Sequence, residues 1–196
     1  MNGVSPLVIV VAAIFTNNIL LSNFLGMCSF LACSRQLDAA LGLGAAVTFV
    51  ISCTTVLNYV IYHHVLLPLN LEHLTFVVFI AVIAAFVQFV EMFVERFTPT
   101  LYYSLGIFLP LITVNCAILG ASLFMVIRNY TLEQSAGFGV GAGVGWALAI
   151  VLMAGLRQKM RYSNIPRPFQ GVAITMIVTG VMALAFMGFA GMVSIQ

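Results

Sequence analysis

The chain has 196 residues, of which 63% are hydrophobic and only 6% charged, and its mean hydropathy is +1.17. So few charges cannot coat a soluble domain of this length, and the sequence reads as an integral membrane protein. The formal net charge of +2, with no basic arm and no run of like charge, sets a nucleic-acid partner aside.

A spanning helix needs about 20 apolar residues. Polar punctuation divides the chain into six such units, over residues 4–33, 38–62, 73–95, 101–127, 134–156 and 170–193. No Lys or Arg precedes the first apolar stretch and no cleavage site follows it, so the first unit is expected to stay in the protein. It carries Asn17, Asn18, Ser22, Asn23 and Gly26 ahead of Cys28, with Cys33 near its end. The second opens on Gly42 and Gly44, holds Cys53 beside Ser52 and Thr54, and closes on His63 and His64. The third holds Gln88, Glu91 and Glu95 before Arg96. Ser104, Gly106, Pro110, Thr113 and Asn115 precede Cys116 in the fourth. Gly137, Gly139, Gly141, Gly143 and Gly145 line the fifth, with Trp146 among them, and small residues at such spacing let helices approach closely. The sixth follows the connector from Arg157 to Pro168, the one with several charges.

Units one and four run past the length of one crossing and hold helix-breaking or hydrogen-bonding residues. They are expected to be broken half-helices, since non-helical backbone at membrane depth is tolerated only inside protein or around a cavity. Three crossings separate them, which is the signature of an inverted repeat. The expected fold is therefore an all-α membrane domain over 1–196, with two antiparallel three-helix halves at about 4–95 and 101–193. Connectors one, three and five hold Arg35, Arg96, Arg157, Lys159, Arg161 and Arg167, against Arg128 alone in the even ones. The odd connectors should then be cytoplasmic and both termini periplasmic. Without a soluble domain, the chain reads as one subunit of a larger assembly.

Cys28 and Cys116 follow the two predicted breaks. Two thiolates make half of a tetrahedral sulfur site, so zinc or an iron–sulfur cluster would need two further ligands from a second subunit or copy. On spacing alone, cysteines that simply fill space are the commoner case, because no CxxC is present. Cys33 and Cys53 read as packing residues. Glu91 is the acidic residue placed at some depth in a span, and with Glu95 it shares a helical face at i and i+4. That pair suits an ion entrance, or else a plain interfacial region before Arg96. His63 and His64 point in different directions and make a poor chelate, so they read as surface anchors, as Tyr102, Tyr103, Tyr130 and Tyr162 read as interface belts. Trp146 reads as packing against small side chains. Two readings of other classes fit the same pattern: a secondary transporter with a midplane site and no metal, and a scaffold subunit with inert cysteines.

Gly-Met-Cys28-Ser-Phe-Leu-Ala, the Gly-Leu-Gly-Ala-Ala-Val-Thr-Phe-Val run from Gly42, the stretch from Leu105 through Pro110 to Cys116-Ala-Ile, and Tyr162-Ser-Asn-Ile-Pro166 together resemble a known family. It is the family of E-type subunits of the sodium-translocating NADH:quinone oxidoreductases, and the A-type subunit of the Rnf ferredoxin:NAD oxidoreductases is its near relative. The Rnf protein shares the Cys116 motif but differs at Lys159 to Pro166. The resemblance implies six helices in an inverted repeat within a six-subunit complex of the bacterial inner membrane. It also implies that Cys28 and Cys116 join two cysteines of a homologous, oppositely inserted D-type subunit to hold a [2Fe–2S] cluster. NAD, flavins and quinone would sit mainly in other subunits while sodium is exported, with Glu91 and Glu95 on the ion path. No GxGxxG followed by an acidic residue is present, so dinucleotide binding by this chain alone is not expected.

Overall fold

The computed structural model describes residues 5–97 and 109–189, and among these every regular element is helical. In chain order they are α1 (Pro6–Ile14), α2 (Met27–Cys33), α3 (Leu37–Ile61), α4 (Thr75–Phe97), α5 (Leu109–Thr113), α6 (Cys116–Ile127), α7 (Leu132–Met160) and α8 (Val172–Met187). A π-helical turn, Tyr62–Leu66, extends α3, and short 3-10 turns precede α4 and α8. The residues expected at Pro99, Tyr102, Tyr103, Ser104 and Gly106, and those from 190 to Gln196, lie outside the described residues.

Three helices among the described residues are long and apolar enough to cross a membrane: Leu37–Leu66, Glu72–Phe93 and Leu132–Met160. Six crossings were expected. The difference lies in units one, four and six: one and four are split into half-helices, α1 with α2 and α5 with α6, and α8 has 16 described residues. The first break starts earlier than the sequence suggested, because α1 already ends at Ile14.

The centre of the fold is built on the five glycines of α7, which divide into two faces. A Cβ added to Gly139 or Gly143 would stand 3.1 and 2.8 Å from Thr55 and Thr48 of α3. The same addition at Gly137, Gly141 and Gly145 would stand 3.2, 2.8 and 3.0 Å from the backbone oxygens of Pro6, Val10 and Ala13 in α1. The pairings Gly44 with Ala147, Thr48 with Gly143 and Ser52 with Gly139 run in opposite chain directions, so α3 and α7 are antiparallel, whereas α1 runs parallel to α7. In lipid the hydrophobic effect gives no drive for helices to associate, and close backbone approach through small residues supplies van der Waals contact instead. The hydroxyls on α3 are satisfied within the helix: Thr48 donates to the Gly44 carbonyl at 2.7 Å, Ser52 to Thr48 at 2.7 Å and Thr55 to Ile51 at 2.7 Å. Asn58 Nδ2 donates to Ser122 Oγ at 2.8 Å and ties α3 to α6. By contrast α4 and α8 show large exposed apolar side chains, among them Phe76, Val77, Phe89, Val172, Val181 and Leu184.

Candidate functional site

The first break is a loop rather than a kink. Asn18, fully buried, accepts from the backbone N–H groups of Leu20 at 3.1 Å and Leu21 at 3.3 Å. Its amide donates back to the Ile14 carbonyl at 3.1 Å and across to the Gly145 carbonyl at 2.7 Å. One side chain thus satisfies three backbone groups that the broken helix would leave bare and ties the loop to the Gly145 carbonyl of α7. The loop ends through Phe24 at φ 54° and Gly26 at φ 82°, a left-handed stretch that turns the chain into α2.

The second break is two residues long. Asn115 caps α6 by accepting from the Ala117 N–H at 3.0 Å, so Cys116 is the first residue of that helix. Cys28 stands one residue inside α2. Both thiols therefore lie in the first turn of a half-helix that follows a break.

The two breaks meet. The backbone N–H of Gly26, two residues before Cys28, donates to Cys116 Sγ at 2.9 Å. Gly26 is held in a tight cradle: a Cβ there would lie 2.5 Å from Trp146 Nε1, 3.0 Å from Asn115 Oδ1 and 3.1 Å from Ala117 Cβ. Trp146 Nε1 and Asn115 Nδ2 are buried donors with no hydrogen-bond partner. Such orphan donors are rare in native interiors, and both side chains border the Gly26 cradle.

Cys28 and Cys116 are both exposed on the single chain, whereas Cys33, expected to pack, is 2% exposed in the core. Cys53 is half-buried. Both exposed thiols are open to ligation from outside the chain. The described residues hold no group of three or more His, Cys, Asp or Glu side chains placed around one ion, so any sulfur site here takes its remaining ligands from elsewhere.

The other sequence candidates lie apart from this crossing. Glu91 is half-buried and Glu95 exposed, both on α4. His63 stacks on Tyr59, ring centroids 4.2 Å apart, and both line a cavity of about 360 Å³ that also reaches Glu72 and Tyr130. Tyr130 is not a belt residue: it is 4% exposed, packs on Phe138 and accepts from Arg128 at 3.1 Å. Trp146 is fully buried and faces Gly26 across the break, which no sequence signal indicated.

The protein family described as "Rnf-Nqr subunit, membrane protein" matches residues 7–193. The E subunit of the Na(+)-translocating NADH-quinone reductase of Pseudoalteromonas translucida is 52% identical over 191 residues, covering 92% of this chain and 95% of that protein. The subunits of the same name from Dichelobacter nodosus and Hahella chejuensis are each 50% identical, covering 93% of this chain and 96% and 95% of theirs.

Proposed function

The chain belongs to the Rnf-Nqr family of membrane subunits, and from that premise we propose that it serves a redox-driven sodium pump that oxidises NADH and reduces quinone. Its own part is to supply Cys28 and Cys116 as two of four thiolates around a [2Fe–2S] cluster shared with a homologous, oppositely inserted subunit. The observation that carries this reading is the Gly26 N–H on Cys116 Sγ at 2.9 Å, which brings the break before Cys28 into contact with the thiol that follows the other break.

The residues present fit such a group. Its charge is expensive to bury in lipid unless N–H donors compensate. Gly26 offers one such donor, and the unpartnered Trp146 and Asn115 N–H groups lie at the same crossing. Cys28 and Cys116 would hold the cluster, which supplies one-electron transfer when bound. Gly26, having no Cβ, lets the two breaks close to this distance. Asn115 fixes the start of α6 and so the direction of the Cys116 side chain.

The same reading places the chain in the bacterial inner membrane with six crossings as an inverted repeat. Antiparallel packing of α3 on α7 through matched small residues supports it, since these are the equivalent second helices of the two halves. The arginines at the Arg35 and Arg157–Arg161 end favour a cytoplasmic location for that end, with both termini periplasmic. NAD, flavins and quinone would be bound mainly by other subunits of the six-subunit complex. Glu91, with Glu95 nearer water, would offer carboxylate oxygen to sodium on its way in.

The test is made in the assembled complex. Cys28→Ala and Cys116→Ala should each remove the iron of this site and its EPR signal on reduction, whereas Cys33→Ala and Cys53→Ala retain both. Normal iron content in both of the first two variants refutes the assignment. For the ion path, Glu91→Gln should raise the sodium concentration needed for half-maximal turnover at unchanged iron content, and an unaltered sodium dependence returns Glu91 to a structural role.

A further inference from the structure

Three guanidinium groups converge at one end of the helix bundle. Arg35, between α2 and α3, and Arg157 and Arg161, on and just after α7, line a cavity of about 240 Å³ together with Ile165 and Ile174. Arg157 is fixed there, donating to the Leu31 carbonyl at 3.1 Å and to Ser34 Oγ at 2.7 Å. Arg161 donates to the Arg35 carbonyl at 3.4 Å. Among the described residues no carboxylate lines the cavity. Three like charges held around one space repel one another, and an anion in that space removes the penalty.

We propose that this cavity is a binding site for the phosphodiester headgroup of an anionic phospholipid. A planar guanidinium matches the oxygens of a phosphate through paired N–H groups. The position selects a lipid over a soluble anion. The cavity lies where α3 begins, α7 ends and α8 begins, which is the level of the membrane surface for helices that cross it. Ile174 forms its wall, and on the same face of α8, three and seven residues on, the apolar side chains of Ile177 and Val181 continue from it as an exposed strip. A headgroup seated among the arginines would lay an acyl chain on that strip. Basic pockets between transmembrane helices are a recurrent way of holding anionic lipids. The site is independent of the cysteines.

The experiment uses the assembled complex reconstituted in phosphatidylcholine and a photoactivatable phosphatidylglycerol, with labelled peptides mapped. Labelling is expected in the stretch around Ile165 to Ile177, and photoactivatable phosphatidylcholine should label it weakly. Arg35→Gln and Arg161→Gln should each reduce labelling about fivefold, the effect of one positive charge at a lipid surface. Both side chains are exposed and their removal leaves the Arg157 bonds in place. Lys159→Gln, an exposed charge on the same end of α7 that does not line the cavity, should reduce it less than twofold. Equal losses in Lys159→Gln and Arg161→Gln would mean diffuse surface charge and overturn the site. Displacement by inorganic phosphate would assign it to a free anion instead, and no labelling of the unaltered complex would show that a neighbouring subunit covers it. Either result overturns the lipid assignment.

Discussion

The two breaks solve the same problem by different means. Between Ile14 and Met27 twelve residues leave helical geometry, and between Thr113 and Cys116 only two do. An asparagine holds each. In the long break Asn18 makes four hydrogen bonds, and the shortest of them, 2.7 Å, crosses to the Gly145 carbonyl of α7. In the short break Asn115 makes a local cap to Ala117, two residues on. Backbone freed at membrane depth must be satisfied inside the protein. A long loop exposes more groups than its own residues can satisfy, so it depends on tertiary contact, while a two-residue break closes on itself.

That contrast can be broken by substitution, beginning where the effect should be greatest. Asn18→Ala strips partners from three buried or half-buried backbone groups at once, each of which costs about 1–3 kcal/mol when left bare, and cuts the tie to α7. With partial relaxation the loss should be about 4 kcal/mol. The complex should assemble poorly, and its thermal midpoint in detergent should fall further than in any other single variant of either break. A midpoint within a few degrees of the unaltered protein would mean that the long break does not depend on α7.

Gly26→Ala acts where the two breaks touch. It adds about 1 kcal/mol of left-handed strain and drives a Cβ to 2.5 Å from the indole nitrogen of Trp146, whose side chain is fully buried and has little room to retreat. Overpacking of this kind costs a further 1–3 kcal/mol or so. The expected result is about 3 kcal/mol of destabilisation together with loss of iron, since the Gly26 N–H must shift away from Cys116. Retained iron with lowered stability would separate the cradle from the sulfur site.

Asn115→Ala should have the smallest effect, about 1 kcal/mol, the usual value of an N-cap. Asn115→Ser or Asn115→Asp should restore most of the midpoint because either side chain can accept from Ala117. A failure of both to rescue would show that the unpartnered Asn115 Nδ2, and not the cap, is what the site requires.

How much of this was legible in the sequence differs from residue to residue. Asn18, Gly26 and Asn115 declared the breaks, because Asn and Gly ahead of a fresh apolar run are costly inside a helix and favoured before one. The five alternate glycines of unit five declared close packing but not its partners, since a two-residue spacing places neighbours on opposite sides of a helix and both sides had a claim. The interface-belt reading was misleading for Tyr130, which is buried. Within a membrane protein apolar side chains occur on lipid-facing, partner-facing and core-facing surfaces alike, so hydropathy does not separate them.

The sequence by itself determined that the chain is a helical membrane subunit, that units one and four break and which cysteines follow the breaks, because these rest on local composition and backbone preference. Only the tertiary structure decided that the Gly26 N–H reaches Cys116, that Trp146 stands over the same crossing with an unpartnered N–H, and that Arg35 joins Arg157 and Arg161 around one cavity. Each of these joins residues about 90 or more positions apart. Such meetings depend on how α1, α3 and α7 pack, and no local preference encodes that.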